Sequence, residues 1–307
     1  MKVLFVSGGN SSAMPFVGEQ AESLRKLGIT IDEFKIIGRG SLGYFRNLKK
    51  LKCVMKGKDY DLIHAHYGLS GLLSVLQRKV PVVITYHGSD VNQKYIRILS
   101  LLAAKISAYN IFVSDDLFKK AGYPKRSKVI PCGVDVEVFK PADKGQARML
   151  LGFSSEKKYI LFASHFDNPV KNYPLAKRAI ETVASHDIEL VELKGWTRSQ
   201  VSLLMSACEA LLMTSLSEGS PQVVKEAMAC NLPVISTDVG DVKDKISTLK
   251  NCYITAFDAY DIASKLNLVI NSKTLTDSRG DIISHSLDAV ALSIYSVYRK
   301  VKGYRVE

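Results

Sequence analysis

The sequence predicts an α/β protein built from two Rossmann-like domains, and three observations carry that prediction. Short apolar runs such as Val3 to Val6, Val80 to Tyr86 and Ala210 to Met213 each lead into a turn and then a helical pattern; this is how buried parallel strands and their crossovers read. The stretch Thr214 to Ser236 supplies a turn, a helix and the following strand in one piece. The length, 307 residues, suits two cores of roughly 150 residues each.

Taken in order, Val3 to Val6 is the first strand, and Gly8, Gly9, Asn10, Ser11 and Ser12 form a small-residue turn through which a ligand can approach the backbone. The G-x-G-x-x-G fingerprint is absent, so nothing supports a nicotinamide dinucleotide. Phe16 to Leu27 reads as a helix stopped by Gly28, with a strand from Thr30 to Ile37. A basic tract over residues 39–58 follows, with Arg39, Arg46, Lys49, Lys50, Lys52, Lys56 and Lys58, in which Leu48, Leu51 and Met55 recur at helical spacing. Two readings fit it: a helix lying on anionic lipid, or one whose apolar stripe packs on the sheet while its lysines are solvated.

Asp61 to His66 is a strand preceded by Asp59 and Tyr60. This D-x-D spacing mimics a metal motif, yet it stands at the strand's amino end, whereas ligands of parallel sheets gather at the carboxyl ends. The acids are read as a solvated strand start, and no metal site is assigned. His87-Gly88-Ser89-Asp90 does lie at a carboxyl end, where the His87 imidazole can approach a substrate hydroxyl and Asp90 can cap the next helix. Asn110 to Ser114 and the run from Lys128 complete the first domain, with the boundary near Pro141.

The second domain opens with the strand Tyr159 to Ala163, a loop holding His165 and Lys171, and a helix from Pro174. The loop Glu192 to Thr197, with Gly195 and Trp196, precedes a helix from Arg198 to Cys208. Strand Ala210 to Met213 then reaches Glu218, a tight turn at Gly219 and Ser220, and a helix with Pro221 at its first position and Ser220 able to cap it. A helix start offers unpaired N–H groups and a positive dipole end, which suit a phosphate or a polarised sugar hydroxyl. Gln222 and Glu226 share one face of this helix, and Val223, Val224, Ala227 and Met228 form its apolar side. Glu226 is therefore expected to point along the turn and not into the core. Val234 and Ile235 begin the next strand, and Val290, Ile294 and Val297 mark a terminal helix.

The run SEGSPQVVKEAMACNLPVIST, with Glu218 and Glu226 in E-x7-E spacing, resembles the nucleotide-sugar motif of glycosyltransferase family 4. Val129-Ile130-Pro131-Cys132-Gly133-Val134-Asp135 is similar to that family's V-I-P-N-G-V-D run, with Cys132 in place of the Asn. The resemblance implies the GT-B architecture, two Rossmann-like domains facing across a cleft: an acceptor-side domain 1–140, a nucleotide-sugar domain 141–285 and a terminal helix 286–307 crossing back to the first. It implies retaining, metal-independent transfer of a hexose-type sugar from a nucleotide diphosphate sugar, UDP- or GDP-linked, to a hydroxyl of a glycan or lipid-linked acceptor, with no cofactor.

Carried over by position, Glu218 lies near the transferred sugar, Glu226 holds the ribose, and the turn Gly219, Ser220, Pro221, Gln222 and Val223 holds sugar and phosphate. Lys171 matches the family's phosphate-binding lysine. The arginine usually paired with it is absent, and His165 or Ser164 stands in its neighbourhood. Gly8, Gly9 and Asn10 match the glycine loop facing the donor diphosphate, and His87 matches a loop near the sugar. The Gly195 loop reads the base, on which Trp196 stacks unless it anchors the core. Glu218, Lys171 and His87 are the expected catalytic residues. Rival readings are a sugar-nucleotide 2-epimerase of the same architecture and a non-catalytic nucleotide-sugar-binding subunit.

Residues 1–140 hold 22 Lys and Arg against 11 Asp and Glu, while the remainder holds 20 against 19. A basic first half suits an anionic surface. No nucleic-acid-binding signature accompanies it, so nucleic acid is not expected as a partner. The five cysteines are scattered and read as small buried hydrophobes. No apolar run reaches the length of a membrane span, and the first residues are too short for a signal segment. The expected setting is the cytoplasm, in polysaccharide biosynthesis, with a peripheral place at the inner face of the plasma membrane if the basic tract takes the lipid reading.

Overall fold

A computed structural model describes residues 1–9, 15–38, 40–183, 187–272 and 276–303, without the side chains of residues 40–42 and 45. The chain divides into two compact units, Met1–Gly133 with Leu287–Glu307, and Val134–Ser286.

The first unit holds strands β1 (Lys2–Gly8), β2 (Thr30–Ile36), β3 (Leu62–His66), β4 (Val82–Tyr86), β5 (Tyr109–Phe112) and β6 (Ser127–Val129). They form one parallel sheet in the order β2-β1-β3-β4-β5-β6. Alternate residues of a strand face opposite sides, and here both sides are covered. Leu4, Val6, Ile63 and Ile84 pack with Leu51 and Met55 of the helix Gly40–Met55 and with Leu73 of the helix Gly68–Val75. Val3, Phe5, Leu62 and Val83 pack on the other side with Ala21 and Leu24 of the helix Pro15–Lys26 and with Ile294 and Tyr298 of the helix Leu287–Val301. The terminal helix is fixed by polar contacts too: Tyr298 OH lies 2.5 Å from His64 Nδ1, and Lys302 Nζ donates to Asp61 Oδ1 at 2.8 Å.

The second unit holds β7 (Lys158–Phe162), β8 (Ile188–Glu192), β9 (Ala210–Met213), β10 (Val234–Thr237) and β11 (Tyr253–Thr255), parallel in the order β11-β10-β9-β7-β8. Leu161, Leu211 and Val234 face Leu204 of the helix Arg198–Ala207 and Val224, Ala227 and Met228 of the helix Gln222–Ala229. Ile160, Phe162, Leu212 and Ile235 face Leu175 and Ala179 of the helix Tyr173–Thr182 and Ile262 and Leu266 of the helix Ala259–Ile270.

The division falls after Gly133 instead of near Pro141, because the segment between them is tied to the second unit. Val134 N–H donates to His285 O at 3.0 Å, and Arg279 donates to Phe139 O at 2.7 Å and Val136 O at 2.8 Å. Each sheet reverses its direction of growth once, between β1 and β3 and between β7 and β9. Such switch points, at the carboxyl ends of the strands, are where doubly wound sheets receive ligands.

Candidate active site

At the switch point of the second unit, the loop after β7 supplies Lys171 and the loop after β9 supplies Glu218. Lys171 Nζ donates to Glu218 Oε1 at 2.6 Å, with the side chains 18% and 15% exposed. The lysine comes from a 3-10 turn, Pro169–Lys171, which Asn168 caps by accepting from Val170 N–H. This turn is stitched to the end of β9: Leu216 N–H donates to Val170 O at 2.8 Å, and the Thr214 hydroxyl is shared between Lys171 O and Asn172 O. The two charged residues, 47 apart in sequence, are thus held together by backbone as well as by charge.

The turn after Glu218 differs in detail from the sequence reading. Pro221 occupies the N-cap position with extended backbone, φ −67° and ψ 120°, so the helix starts at Gln222 and not at the proline. Ser220 does not cap it; its hydroxyl donates to Asp241 Oδ2 at 2.7 Å, and that carboxylate also faces Lys245 Nζ at 3.5 Å. Pro221 has no N–H, and Val224 N–H already bonds Pro221 O. Neither of these two positions therefore offers an N–H to an anion at this helix start. Gly240 sits at φ +59°, and a Cβ there would lie 2.7 Å from Gly219 O, so the turn after β10 abuts the Gly219 turn closely.

Glu226 does not lie along an open turn. It is buried, 5% exposed, and accepts from Arg198 Nη1 at 2.6 Å. Arg198 also stacks 4.6 Å over the Phe139 ring. Sequence reasoning missed this arginine, as it missed Thr214 and Asp241, since each partner is remote in sequence and no spacing connects them. Lys225, beside Glu226, is likewise fully buried.

Trp196 is half-buried against the core, and its indole N–H donates to Glu192 O at 3.1 Å. That geometry is of an anchored tryptophan. Gly195 before it adopts φ +81°, a conformation glycine adopts without strain. His165 is exposed.

In the first unit, His87 follows β4. Its Nε2 lies 3.1 Å from His66 Nδ1, its Nδ1 3.6 Å from Cys132 Sγ, and its ring contacts Tyr67 and Phe16. Asp90 is not a simple helix cap: its buried carboxylate accepts from the N–H groups of His87, Gly88 and Gly68, fixing the loop that carries the imidazole. Burial raises the Asp90 pKa against the pull of those N–H groups. Burial also drives the His64 pKa well below its ordinary value and lowers that of His66 to about 3, so both rings are neutral. Tyr67, just after β3, holds φ 72°, a strained conformation for a bulky residue and of the kind found at functional sites.

Gly8 ends β1 with open space where a Cβ would stand, whereas a Cβ at Gly9 would meet Lys35 Cβ at 3.0 Å. Gly9 N–H bonds Ile36 O at 2.8 Å, so the β2 edge by itself accounts for that glycine. Asn10 lies outside the described residues, as does Arg39.

In the basic helix Gly40–Met55, Leu51 and Met55 are buried and Leu48 packs beside them, leaving Lys49, Lys50 and Lys52 exposed. The apolar stripe is therefore used by the core. Asp61 accepts from Lys2 N–H at 2.7 Å as well as from Lys302, and Tyr60 donates to Asp32 at 2.5 Å, so the D-x-D acid nearest the strand is structural. Cys208, Cys230 and Cys252 are buried, but Cys53 is exposed.

Two doubly wound parallel sheets, one in each unit, make up the GT-B fold class. Residues 15–138 match the profile of Glycosyltransferase Family 4, and residues 167–272 that of Glycosyl transferases group 1. The chain belongs to glycosyltransferase family 4.

It is 28% identical over 240 residues to the D-inositol 3-phosphate glycosyltransferase of Mycobacterium marinum, a match covering 61% of this chain and 51% of that protein. It is 24% identical over 262 residues to an uncharacterized glycosyltransferase of Methanocaldococcus jannaschii, covering 78% and 74%. The match thus spans about half the length of the first relative. Among solved structures, sucrose-phosphate synthase from Thermosynechococcus elongatus is similar at TM-score 0.85, with 16% identity over 99% of both chains. Anabaena HepE, solved with UDP, gives 0.79 and 16% over 98% and 100%. At these identities the structural likeness concerns the fold alone.

Proposed function

We propose that this chain is a retaining glycosyltransferase that moves a hexose-type sugar from a nucleotide diphosphate sugar to a hydroxyl of a glycan or lipid-linked acceptor. The observation that carries this reading is the Lys171 to Glu218 contact of 2.6 Å beside the start of the helix Gln222–Ala229. A cation, a carboxylate and a set of helix-start amides close together support the reading of a diphosphate-sugar site.

In the proposed reaction the bond between sugar C1 and the phosphate oxygen breaks toward an oxocarbenium-like state. Its electron pair stays on the diphosphate, whose growing charge is met by Lys171 and the first-turn N–H groups of Gln222 and Val223, helped by Gly219 and Ser220. The acceptor hydroxyl attacks the same face, and its proton passes to the departing phosphate oxygen, so no separate general base is required. Glu218 orients the sugar hydroxyls, and Glu226, held by Arg198, presents its carboxylate to the ribose. His87, positioned by Asp90 and His66, is assigned to the sugar's outer oxygens. The donor is read as UDP- or GDP-linked; HepE, which shares the fold, was solved with UDP and with UDP-glucose.

The same reading places the enzyme in the cytoplasm, in polysaccharide assembly. Among the described residues no helix is long and apolar enough to cross a membrane. Among the described residues, bilayer contact through 39–58 would rest on the exposed cations Arg46, Lys49, Lys50, Lys52, Lys56 and Lys58, since Leu48, Leu51 and Met55 pack in the core.

The test is a thermal-shift screen of UDP-, GDP- and ADP-sugars, followed by nucleotide release with soluble and lipid-linked acceptors, with and without EDTA. A donor at a hundredfold its Kd should stabilise the fold by about 2.7 kcal/mol, and release should require acceptor and survive EDTA. Donor conversion with no acceptor and no nucleotide release would indicate an epimerase; stabilisation without turnover would indicate a binding subunit.

A further inference from the structure

The helix Lys94–Ile106 of the first unit, KYIRILSLLAAKI, turns its small residues inward and its large apolar ones outward. Ser100, Ala103 and Ala104 are buried, and Ser100 meets the helix Gly68–Val75 so closely that a Cβ on Gly68 would lie 1.9 Å from its Oγ. On the opposite side Tyr95 is 85% exposed, Ile98 63% and Ile106 55%, with Leu99 and Leu102 also exposed. These positions follow the i, i+3, i+4, i+7 progression of a single helical face. Single exposed apolar residues are ordinary, whereas a continuous stripe marks a surface that another phase or molecule covers.

The charges around the stripe identify the cover. The helix carries no acidic residue, and Lys94 and Lys105 stand exposed near its two ends. Beyond its C-terminal end, Lys119, Lys125, Arg126 and Lys128 are exposed, as is Tyr123; Asp116 there is paired with Lys120, leaving Asp115 as the one neighbouring exposed acid on the helix Asp115–Lys120. A cavity of about 550 Å³ opens beside this end, with Leu101 and Ala104 in its lining and Lys105, Lys125 and Arg126 around it. Arg126 donates to Lys105 O at 3.4 Å, joining the two walls.

We propose that the helix Lys94–Ile106 docks the protein on an anionic phospholipid bilayer. Tyr95, Ile98, Leu99, Leu102 and Ile106 enter the headgroup boundary, and Lys105, Lys125 and Arg126 take lipid phosphates. A second copy is the poorer occupant, because two such surfaces would bring like charges together. The proposal does not depend on the donor reading, and its test needs no turnover.

The full chain is sedimented with vesicles of phosphatidylglycerol and phosphatidylcholine in equal parts, and with phosphatidylcholine alone. The expected result is binding to the anionic vesicles only, lowered about tenfold or more by the triple variant Ile98→Ser, Leu102→Ser, Ile106→Ser at unchanged thermal stability. A second variant, Lys105→Glu with Lys125→Glu, should lower it similarly while keeping the apolar stripe. Binding that survives the serine variant but is abolished by Lys49→Glu, Lys50→Glu, Lys52→Glu would overturn the proposal. So would a wild-type chain that ignores both vesicles, including one that elutes as a dimer which the serine variant converts to monomer.

Discussion

Replacing Lys171 by Met removes one half of the pair at the carboxyl ends of β7 and β9. Breaking a fully buried pair from one side costs about 3–5 kcal/mol, because the remaining charge has lost its partner. Here both side chains keep some water, 18% and 15% exposed, so the stability loss is expected nearer to about 1–3 kcal/mol. The catalytic loss should be larger. Lys171 is assigned to charge that appears on the leaving diphosphate, and removing one such stabiliser lowers kcat about 10²- to 10³-fold, or ~2.7–4 kcal/mol. Glu218→Gln and the double variant complete a cycle, read by urea unfolding and by nucleotide release at saturating donor. The double variant should recover part of the stability but none of the rate. If Lys171→Met turned over within about threefold of wild type, or if the stability cycle closed to within ~0.5 kcal/mol, the pair would be a surface contact and the assignment would fall.

Arg198→Ala should leave Glu226, itself nearly buried, without its guanidinium; a loss of about 2–4 kcal/mol in urea unfolding is expected, short of the full buried-pair cost because the arginine is one-third exposed. Gly240→Ala combines φ +59° with a Cβ 2.7 Å from Gly219 O, so it should cost about 1–3 kcal/mol and raise the donor KM. Gly28→Ala, where nothing lies within 4 Å, is the control for backbone strain alone and should leave KM unchanged. Acid should unfold the first unit early. His64 and His66 are held neutral by burial, the latter with its pKa lowered to about 3, while in the unfolded chain both bind protons below about 6.5. Their stabilising effect is complete above that pH and declines as pH falls, by up to ~1.4 kcal/mol per pH unit for each ring. Urea midpoints between pH 6.5 and 4.5, above the carboxylate range, should show this slope, and His66→Gln should remove about half of it; a flat profile would contradict it.

Much of the fold was legible because parallel strands buried on both faces leave unbroken apolar runs. The run Ala210 to Met213 coincides with β9 residue for residue, and the run Val80 to Tyr86 begins two residues before β4. Local signals gave less at the turns. A serine before a proline suggests a helix cap, but Asp241, 21 residues on and beyond β10, takes the Ser220 hydroxyl. Contacts such as Arg198 with Glu226, 28 residues apart, or Tyr298 with His64, 234 apart, leave no trace in spacing. In the basic helix the sequence allowed two uses of the stripe Leu48, Leu51 and Met55, and tertiary packing chose the sheet. The helix Lys94–Ile106 carries no such signal, because an apolar face in the sequence does not say whether it packs inward, and the structure places Tyr95, Ile98, Leu99, Leu102 and Ile106 outside.

The most direct measurement is a crystal structure of the full chain with the nucleotide sugar that stabilises it best. The account predicts the pyrophosphate within about 3 Å of Lys171 Nζ and the first-turn amides of the helix Gln222–Ala229, with the sugar against Glu218 and the ribose against Glu226. A pyrophosphate lodged elsewhere, with Lys171 and Glu218 still paired and facing only water, would contradict it.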